Sequence, residues 1–171
     1  MEFVCSTRYS QKTLTAMARA LRKTVRARTN LWLKVVCAVL IGICLLSIYA
    51  SWEDPWYVGT NGVVIVFLLA VQWKQDWLNG YIARRRALPG TEFSSTTFHQ
   101  DCFETKIAGA VTQWKYDKVT VLAESGAYIF FIMGKNHASA FEKEGLEGGS
   151  VAEFRRFLEE RTRKQIKFVG G

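Results

Sequence analysis

The residues best suited to chemistry stand together in the segment His99-Gln100-Asp101-Cys102. A histidine beside a cysteine can activate a thiolate nucleophile, and a neighbouring carboxylate can orient the imidazole ring. In Cys/His nucleophilic sites, however, the fold usually brings the two residues together from distant positions in the chain. This segment is more typical of a solvated turn between strands. We therefore predict that the protein is not an enzyme.

Metal and phosphate sites have little support in the sequence. The two histidines, His99 and His137, lack further ligands at a spacing typical of zinc sites. The four cysteines contain no CxxC motif. The glycine-rich segment 145–149 is acidic and lacks the lysine of a phosphate-binding loop. We predict that the protein has no metal and no cofactor.

Positive charge is the clearest chemical feature of the chain. Lys and Arg number 23 against 15 Asp and Glu, which gives a formal net charge of +8. The basic residues cluster beside long apolar segments, where anionic lipid headgroups are a nearer ligand than nucleic acid. We expect no nucleic-acid partner. The residues predicted to contact lipid headgroups are Arg22, Lys23, Arg26, Arg84, Arg85 and Arg86.

The element that positions these charges is an apolar stretch, residues 31–73, which is interrupted only by Glu53-Asp54-Pro55. The first run has about 22 residues and would span about 33 Å as a helix, whereas the second has about 18 and is near the lower limit for crossing a bilayer. Asp54 suits a helix N-cap and Pro55 suits the first helical position. We predict a transmembrane helical hairpin with a short outer turn at residues 53–55. The alternative is a hairpin buried in a soluble core.

Charge also predicts the orientation of the hairpin. Basic residues precede the first run and follow the second, whereas the turn carries only Glu53 and Asp54. Positive loops remain in the cytoplasm, so we expect a multi-pass protein of the plasma (inner) membrane with both termini cytoplasmic. Small residues within the two runs are predicted to pack helix against helix, and these are Ala38, Gly42, Gly62 and Ala70.

Two short regions flank the hairpin. Residues 1–30 are predicted to hold a strand at residues 2–9 and then a basic amphipathic helix. That helix either lies on the inner leaflet, packs its apolar stripe on a soluble domain, or runs straight into the first apolar helix. Residues 74–90 are predicted to continue as a juxtamembrane helix that ends at Pro89-Gly90.

In residues 91–171 the spacing of apolar residues changes to that of short strands separated by turns. We predict that these residues form a small cytoplasmic domain. The apolar run 128–133 is typical of a central strand that is buried on both faces. Ser150 and Glu153 fit a capping box, and the helix that follows carries an apolar stripe. We expect an α+β membrane protein whose antiparallel sheet or half-barrel is closed by this C-terminal helix. The predicted strands are Glu92–His99, Cys102–Ala108, Val111–Lys115, Lys118–Ala123, Ala127–Met133 and His137–Phe141.

The layout resembles the YcxB-like family of small bacterial membrane proteins. The resemblance is strongest from Thr112 to Glu160 and is carried by short motifs: Trp114 and Tyr116, Asp117-Lys118-Val119, Glu124, Tyr128-Ile129-Phe130-Phe131, Phe141-Glu142-Lys143, and Gly149, Ser150, Glu153 and Phe154. It implies a C-terminal domain with a pleckstrin-homology-like or related antiparallel fold. It implies no catalytic residues.

Two functions follow as expectations. The first is a membrane-anchored binding or regulatory module that holds its small domain at the cytoplasmic face, where it meets anionic lipid headgroups or an unidentified protein partner. The second is an auxiliary or immunity-like subunit of a membrane transport or toxin-resistance system, which acts through its transmembrane hairpin.

Overall fold

A computed structural model describes residues 2–170 as an α+β fold in which helices precede most of the strands. In chain order, the α-helices and β-strands of this part of the chain are β1 (Phe3–Arg8), α1 (Gln11–Lys23), α2 (Ala27–Ala50), α3 (Pro55–Arg86), β2 (Phe93–Phe98), β3 (Cys102–Ile107), β4 (Ala110–Lys115), β5 (Val121–Glu124), β6 (Tyr128–Ile132), β7 (Ala138–Glu142), β8 (Leu146–Glu147), α4 (Val151–Thr162) and β9 (Lys167–Phe168).

The helix boundaries follow local chemistry. The side chain of Ser10 caps α1 by accepting a hydrogen bond from the amide of Thr13 at 3.3 Å. A turn at residues 24–26 separates α1 from α2, so the two helices are not continuous. Asp54 accepts a hydrogen bond from the Trp56 amide at 2.9 Å, which confirms the predicted start of α3. Helix α3 then runs without a break to Arg86.

Helices α2 and α3 are both long and apolar enough to cross a membrane. Their most apolar 18-residue windows have mean hydropathies of 2.5 and 1.5, and 0% of either window is buried inside the protein. The only buried residue of either helix is Gly80, which lies beyond the apolar part of α3. A hairpin buried in a soluble core is therefore not the arrangement that the structure shows.

The strands divide between two sheets, whereas the sequence predicted a single meander. A five-stranded sheet has the order β4-β3-β2-β1-β8, and all its pairings are antiparallel. A four-stranded sheet has the order β7-β6-β5-β9, in which the β5–β9 pairing is parallel. The six predicted strands after residue 91 are confirmed to within a few residues, but β8 and β9 were not predicted.

Strand β6 lies at the centre of the domain, and all five of its residues are buried. On one face, the Phe131 ring packs against Phe103 and Phe141, with centroids 5.0 Å and 4.9 Å away. On the other face, Phe130 and Ile132 share a core cluster with α1. The prediction that this strand is buried on both faces is confirmed. Of the three alternatives for α1, the structure shows the one in which its apolar stripe packs on the domain.

Helix α4 begins as its sequence predicts. The Ser150 hydroxyl accepts from the Glu153 amide at 3.2 Å, and the Glu153 carboxylate accepts from the Ser150 amide at 2.8 Å, which completes the capping box. Its apolar stripe faces the core: the Phe154 ring lies 4.9 Å from Phe98 and 5.2 Å from Phe3.

Candidate functional site

Helix α1 packs along the last third of α3, and the candidate site lies beside this contact. Arg22 donates from Nε and Nη2 to the two carboxylate oxygens of Asp76, at 2.6 Å each. Seven residues earlier on α1, Thr15 lies against Gly80 of α3, so the two helices run antiparallel. A bidentate guanidinium–carboxylate pair fixes both distance and orientation. It thereby aligns α1, and the sheet packed on it, with the long helix α3.

Gly80 is the point of closest approach between these helices. A Cβ atom built on Gly80 would lie 2.7 Å from the backbone nitrogen and 2.9 Å from the Cα of Thr15, and closer still to its hydroxyl oxygen. Any side chain at position 80 would therefore push the α1 backbone away. Neither Gly80 nor Asp76 was predicted from the sequence to have a role. Asp76 is the single acidic residue of α3, and that charge within a basic segment was the available signal.

A cleft of about 610 Å³ opens beside this contact; we call it the α1 cleft. One wall is a face of α1, which contributes Lys12, Thr15, Ala16 and Arg19 at helical spacing. The opposite wall is the turn between β5 and β6 with the first residue of β6, residues 125–128, and Trp77 of α3 borders the space. The size is within the range of small-molecule sites, roughly 300–1,000 Å³.

The lining of the α1 cleft is mainly apolar, with positive charge on the α1 side. The Tyr128 hydroxyl lies 3.3 Å from the Thr13 hydroxyl in the interior. Trp77 stacks on Tyr81 with ring centroids 5.5 Å apart and remains half exposed. Arg19 lies 3.5 Å from Asp76, but Arg22 already bonds both oxygens of that carboxylate. The charges of Lys12 and Arg19 therefore give this side of the cleft a positive potential.

An ion-pair network around the buried carboxylate of Glu124 supports the turn that forms the far wall of the cleft. Arg155 donates to both carboxylate oxygens of Glu124 at 2.7 and 2.9 Å, and Lys143 donates to one of them at 2.5 Å. Burial raises the pKa of Glu124, but the hydrogen bonds from Arg155 and Lys143 more than offset this and hold it below its ordinary value of 4.5. Lys143 also donates to the backbone oxygens of Ser125 and Gly126.

The structure separates the six predicted lipid-contact residues into two groups. Arg22 bonds Asp76, Lys23 donates to the Val169 oxygen at 2.6 Å, and Arg26 donates to the Lys135 oxygen at 2.7 Å. These three side chains hold the domain together at the end of α1. The other three, Arg84, Arg85 and Arg86, are exposed in the last turn of α3.

The four small residues of the hairpin do not mark a close contact within it. A Cβ atom built on Gly42 or Gly62 would meet no other atom within 4 Å. Ala38 and Ala70 are exposed. These positions therefore leave open surface on the outside of α2 and α3. Packing of that surface against a helix from another chain stays a prediction.

The reactive side chains near the turn at 99–102 have separate partners. His99 Nδ1 lies 2.7 Å from the Glu2 carboxylate, whereas the Cys102 sulfur lies 3.0 Å from the Gln113 amide nitrogen. Elsewhere, burial raises the pKa of the Cys5 thiol to about 11, so this thiol remains protonated at neutral pH. Within residues 2–170, no three His, Cys, Asp or Glu side chains are arranged to hold a metal ion.

In comparisons with known proteins, no family model, no curated protein and no solved structure matches this chain.

Proposed function

We propose that this protein is a membrane-anchored, non-enzymatic binding or regulatory module. Helices α2 and α3 cross the plasma (inner) membrane and hold the sheet domain at its cytoplasmic face. The observation that carries this proposal is the uncovered apolar surface of the two helices, of which 0% of the most apolar windows is buried. Exposure of so much apolar area to water is unfavourable at about 25 cal/mol per Å². A bilayer removes that cost.

The topology of the sheet supports an even number of crossings. Strand β1 precedes α2 and strand β2 follows α3, yet the two pair residue by residue from Phe3 with Phe98 to Arg8 with Phe93. Both strands must therefore lie on the same side of any membrane that the helices cross. The basic flanks favour the cytoplasm for that side, with Glu53 and Asp54 at the outer turn.

Fractionation and labelling of the full chain test this proposal. We expect the protein to stay with membranes through an alkaline wash and to need detergent for release. A cysteine placed by Glu53→Cys should react with an impermeant maleimide on intact cells, whereas one placed by Lys118→Cys should react only after permeabilisation. The parent chain supplies the background from its own cysteines. Recovery in the supernatant without detergent would refute the anchorage.

We further propose that anionic headgroups bind chiefly the cations at the ends of the two apolar runs: Arg28 in the first turn of α2 and Lys74 after the apolar part of α3. Both are exposed. Arg84 to Arg86 lie about 16 to 20 Å beyond Trp73 along a straight helix. This distance is greater than the reach of the headgroup charges, which is a headgroup layer of about 5 to 7 Å plus a Debye length of about 8 Å. A tilted α3 would bring these arginines closer.

Nanodiscs of different lipid composition test which cations bind the headgroups: Arg28 with Lys74, or Arg84 to Arg86. The full chain should have a higher melting temperature in phosphatidylglycerol than in phosphatidylcholine, and the difference should shrink with added salt. The pair Arg28→Gln and Lys74→Gln should remove most of that difference, whereas the triple change Arg84→Gln, Arg85→Gln and Arg86→Gln should remove less. The opposite ranking would show that α3 lies tilted along the surface and would assign the contact to the three arginines.

The finer fold assignment is also a proposal. We propose that the C-terminal part is a YcxB-like domain with a pleckstrin-homology-like fold that α4 closes. Two pairs of residues from the resemblance support it: Glu124 bonds Lys143, and Ser150 with Glu153 forms the cap of α4. The packing of Phe154 on Phe98 supports closure by the helix. A solved structure of a family member with another strand order would refute the assignment.

A second candidate function has its own observation. The open surface around Gly42 and Gly62, with exposed Ala38 and Ala70, suits close packing by a helix of a partner membrane protein. We propose an auxiliary or immunity-like subunit as the alternative role. Gly42→Leu with Gly62→Leu should abolish co-purification of the partner in mild detergent, whereas the control Val64→Leu should not. An unchanged yield of the partner would exclude this surface as the interface.

A further inference from the structure

We infer that the α1 cleft binds the acyl chain of an anionic amphiphile, whose head group contacts Lys12 and Arg19. The inference rests on the proposed membrane anchorage and adds a ligand class to that function. Four observations carry it: the apolar lining, the charge on one wall, the position relative to the apolar helices, and the support of the walls.

The lining selects an apolar chain. Ala16, Ala127 and Tyr128 contribute to a mainly apolar lining, and Trp77 adds an exposed aromatic surface at its border. The Tyr128 hydroxyl already pairs with the Thr13 hydroxyl, so it adds no free polar group to the lining. A cleft of about 610 Å³ with such walls gains most from a ligand that buries hydrocarbon.

The charge selects an anionic head group. Lys12 and Arg19 lie seven residues apart on α1, which places them two helical turns apart on one face. Arg19 lies 3.5 Å from Asp76, but Arg22 bonds both oxygens of that carboxylate, so the two arginines together keep a positive charge beside it. A carboxylate or phosphate at this side of the cleft would therefore be favourable, whereas a cationic head group would be repelled.

The position suits a ligand drawn from the inner leaflet. Trp77 lies four residues after Trp73, which is about 6 Å along α3. With Trp73 at the inner end of the membrane span, Trp77 lies within a headgroup layer of about 5 to 7 Å. Arg19 lies near the level of the phosphates because it contacts Asp76, whereas Lys12 lies about 10 Å farther from the membrane along α1. An amphiphile that enters the cleft from the bilayer therefore meets Arg19 first, and its head group reaches Lys12 once its chain lies within the cleft.

The walls of the cleft are held by bonds that do not depend on a ligand. Lys143 binds the backbone oxygens of Ser125 and Gly126 and is itself paired with Glu124. Lys23 binds the Val169 oxygen, next to Gly170 at the other end of the space. A cleft built in advance costs less ordering on binding.

Photocrosslinking tests the inference on the full chain in phosphatidylcholine nanodiscs. One arm adds a fatty acid with a diazirine in its chain, a second uses nanodiscs that contain phosphatidylglycerol with the same diazirine chain, and a third adds the matching neutral fatty alcohol. Adducts are located by peptide mass spectrometry. We expect adducts within residues 11–19 and 125–128 from one or both anionic probes and few from the alcohol, and the two anionic arms distinguish free fatty acid from leaflet lipid.

Matched variants separate binding from structure. Gly126 lines the cleft and Gly134 lies outside it, and a Cβ atom at either would meet no atom within 4 Å. Gly126→Trp should fill the cleft and abolish its adducts, whereas Gly134→Trp should leave them unchanged. Lys12→Gln with Arg19→Gln should lower the adduct yield roughly tenfold, whereas Lys106→Gln with Lys118→Gln should not. Melting temperatures verify that each variant is folded.

The outcomes distinguish this inference from the proposed anchorage. A protein that remains in the membrane but gives adducts only within α2 and the apolar part of α3 overturns the cleft inference alone. Equal labelling of the cleft by the alcohol overturns the role of Lys12 and Arg19. A protein recovered in the supernatant without detergent overturns the anchorage, and the source of the ligand in the inner leaflet with it.

Discussion

Replacement of Gly80 by alanine would place a methyl group where the backbone of α1 now lies. The new Cβ would be 2.7 Å from the nitrogen of Thr15 and 2.9 Å from its Cα. These are backbone atoms, so no side-chain rotation can relieve the overlap. The helices α1 and α3 must move apart, which loosens the Arg22–Asp76 pair and the contact of α1 with the sheet.

Two opposing terms set the magnitude of the effect. Alanine in place of glycine stabilises a helix interior by about 1 kcal/mol. Overpacking of a tight contact costs about 1 to 3 kcal/mol, and the upper part of that range applies because backbone atoms are involved. We therefore expect Gly80→Ala to lower the free energy of unfolding by about 1 to 2 kcal/mol. Gly62 lies in the same helix with open space around it, so Gly62→Ala should be neutral or slightly stabilising.

Thermal unfolding in detergent measures this difference directly. At about 2 to 4 °C per kcal/mol for a chain of this size, Gly80→Ala should melt about 2 to 8 °C below the parent. Hydrogen exchange of the amides in α1 should accelerate in Gly80→Ala and remain unchanged in Gly62→Ala. If both alanine variants raised the melting temperature alike, the close approach of α1 to α3 would be refuted.

Three further predictions concern the ion pairs and the cap. In a double-mutant cycle, Arg22→Ala and Asp76→Ala should show a coupling of about 1 kcal/mol in unfolding free energy; additive effects would contradict the pairing. The lowered pKa of Glu124 means that its stabilising contribution is present above the ordinary carboxyl pKa of 4.5 and is lost as the pH falls through the folded value. Melting temperature should therefore drop on acidification, and Glu124→Gln should start lower and depend less on pH, whereas an unchanged acid profile would contradict this. Ser150→Ala should cost about 1 kcal/mol by removal of the α4 cap, with Ser139→Ala as a control that should cost less.

Local patterns predicted the elements that depend on neighbouring residues. The caps at Asp54 and Ser150 and the run 128–133 each satisfy a requirement within a few residues of the chain, and each has the predicted form. The strand boundaries were also predicted to within a few residues, because turn residues and the alternation of apolar with polar residues are local features of the sequence.

Contacts between distant segments of the chain could not be predicted from local sequence patterns. Nothing local to Gly80 shows that Thr15 will lie against it, and the pairing of Arg22 with Asp76 spans 54 residues. Strands β8 and β9 have two residues each and form only because a partner strand is already in place. The α1 cleft is built from four segments of the chain, so it appears only once the fold is assembled.

The place of β1 between β2 and β8 has a consequence for biosynthesis. The first strand leaves the ribosome well before either of its neighbours exists, since the long apolar helices are made in between. Its backbone groups must wait for residues 93–98 and 146–147, a closure over a long loop that is slow to form. Deletion of the first eight residues should therefore spare insertion into the bilayer but leave two strand edges open, and such a chain should aggregate through its sheet.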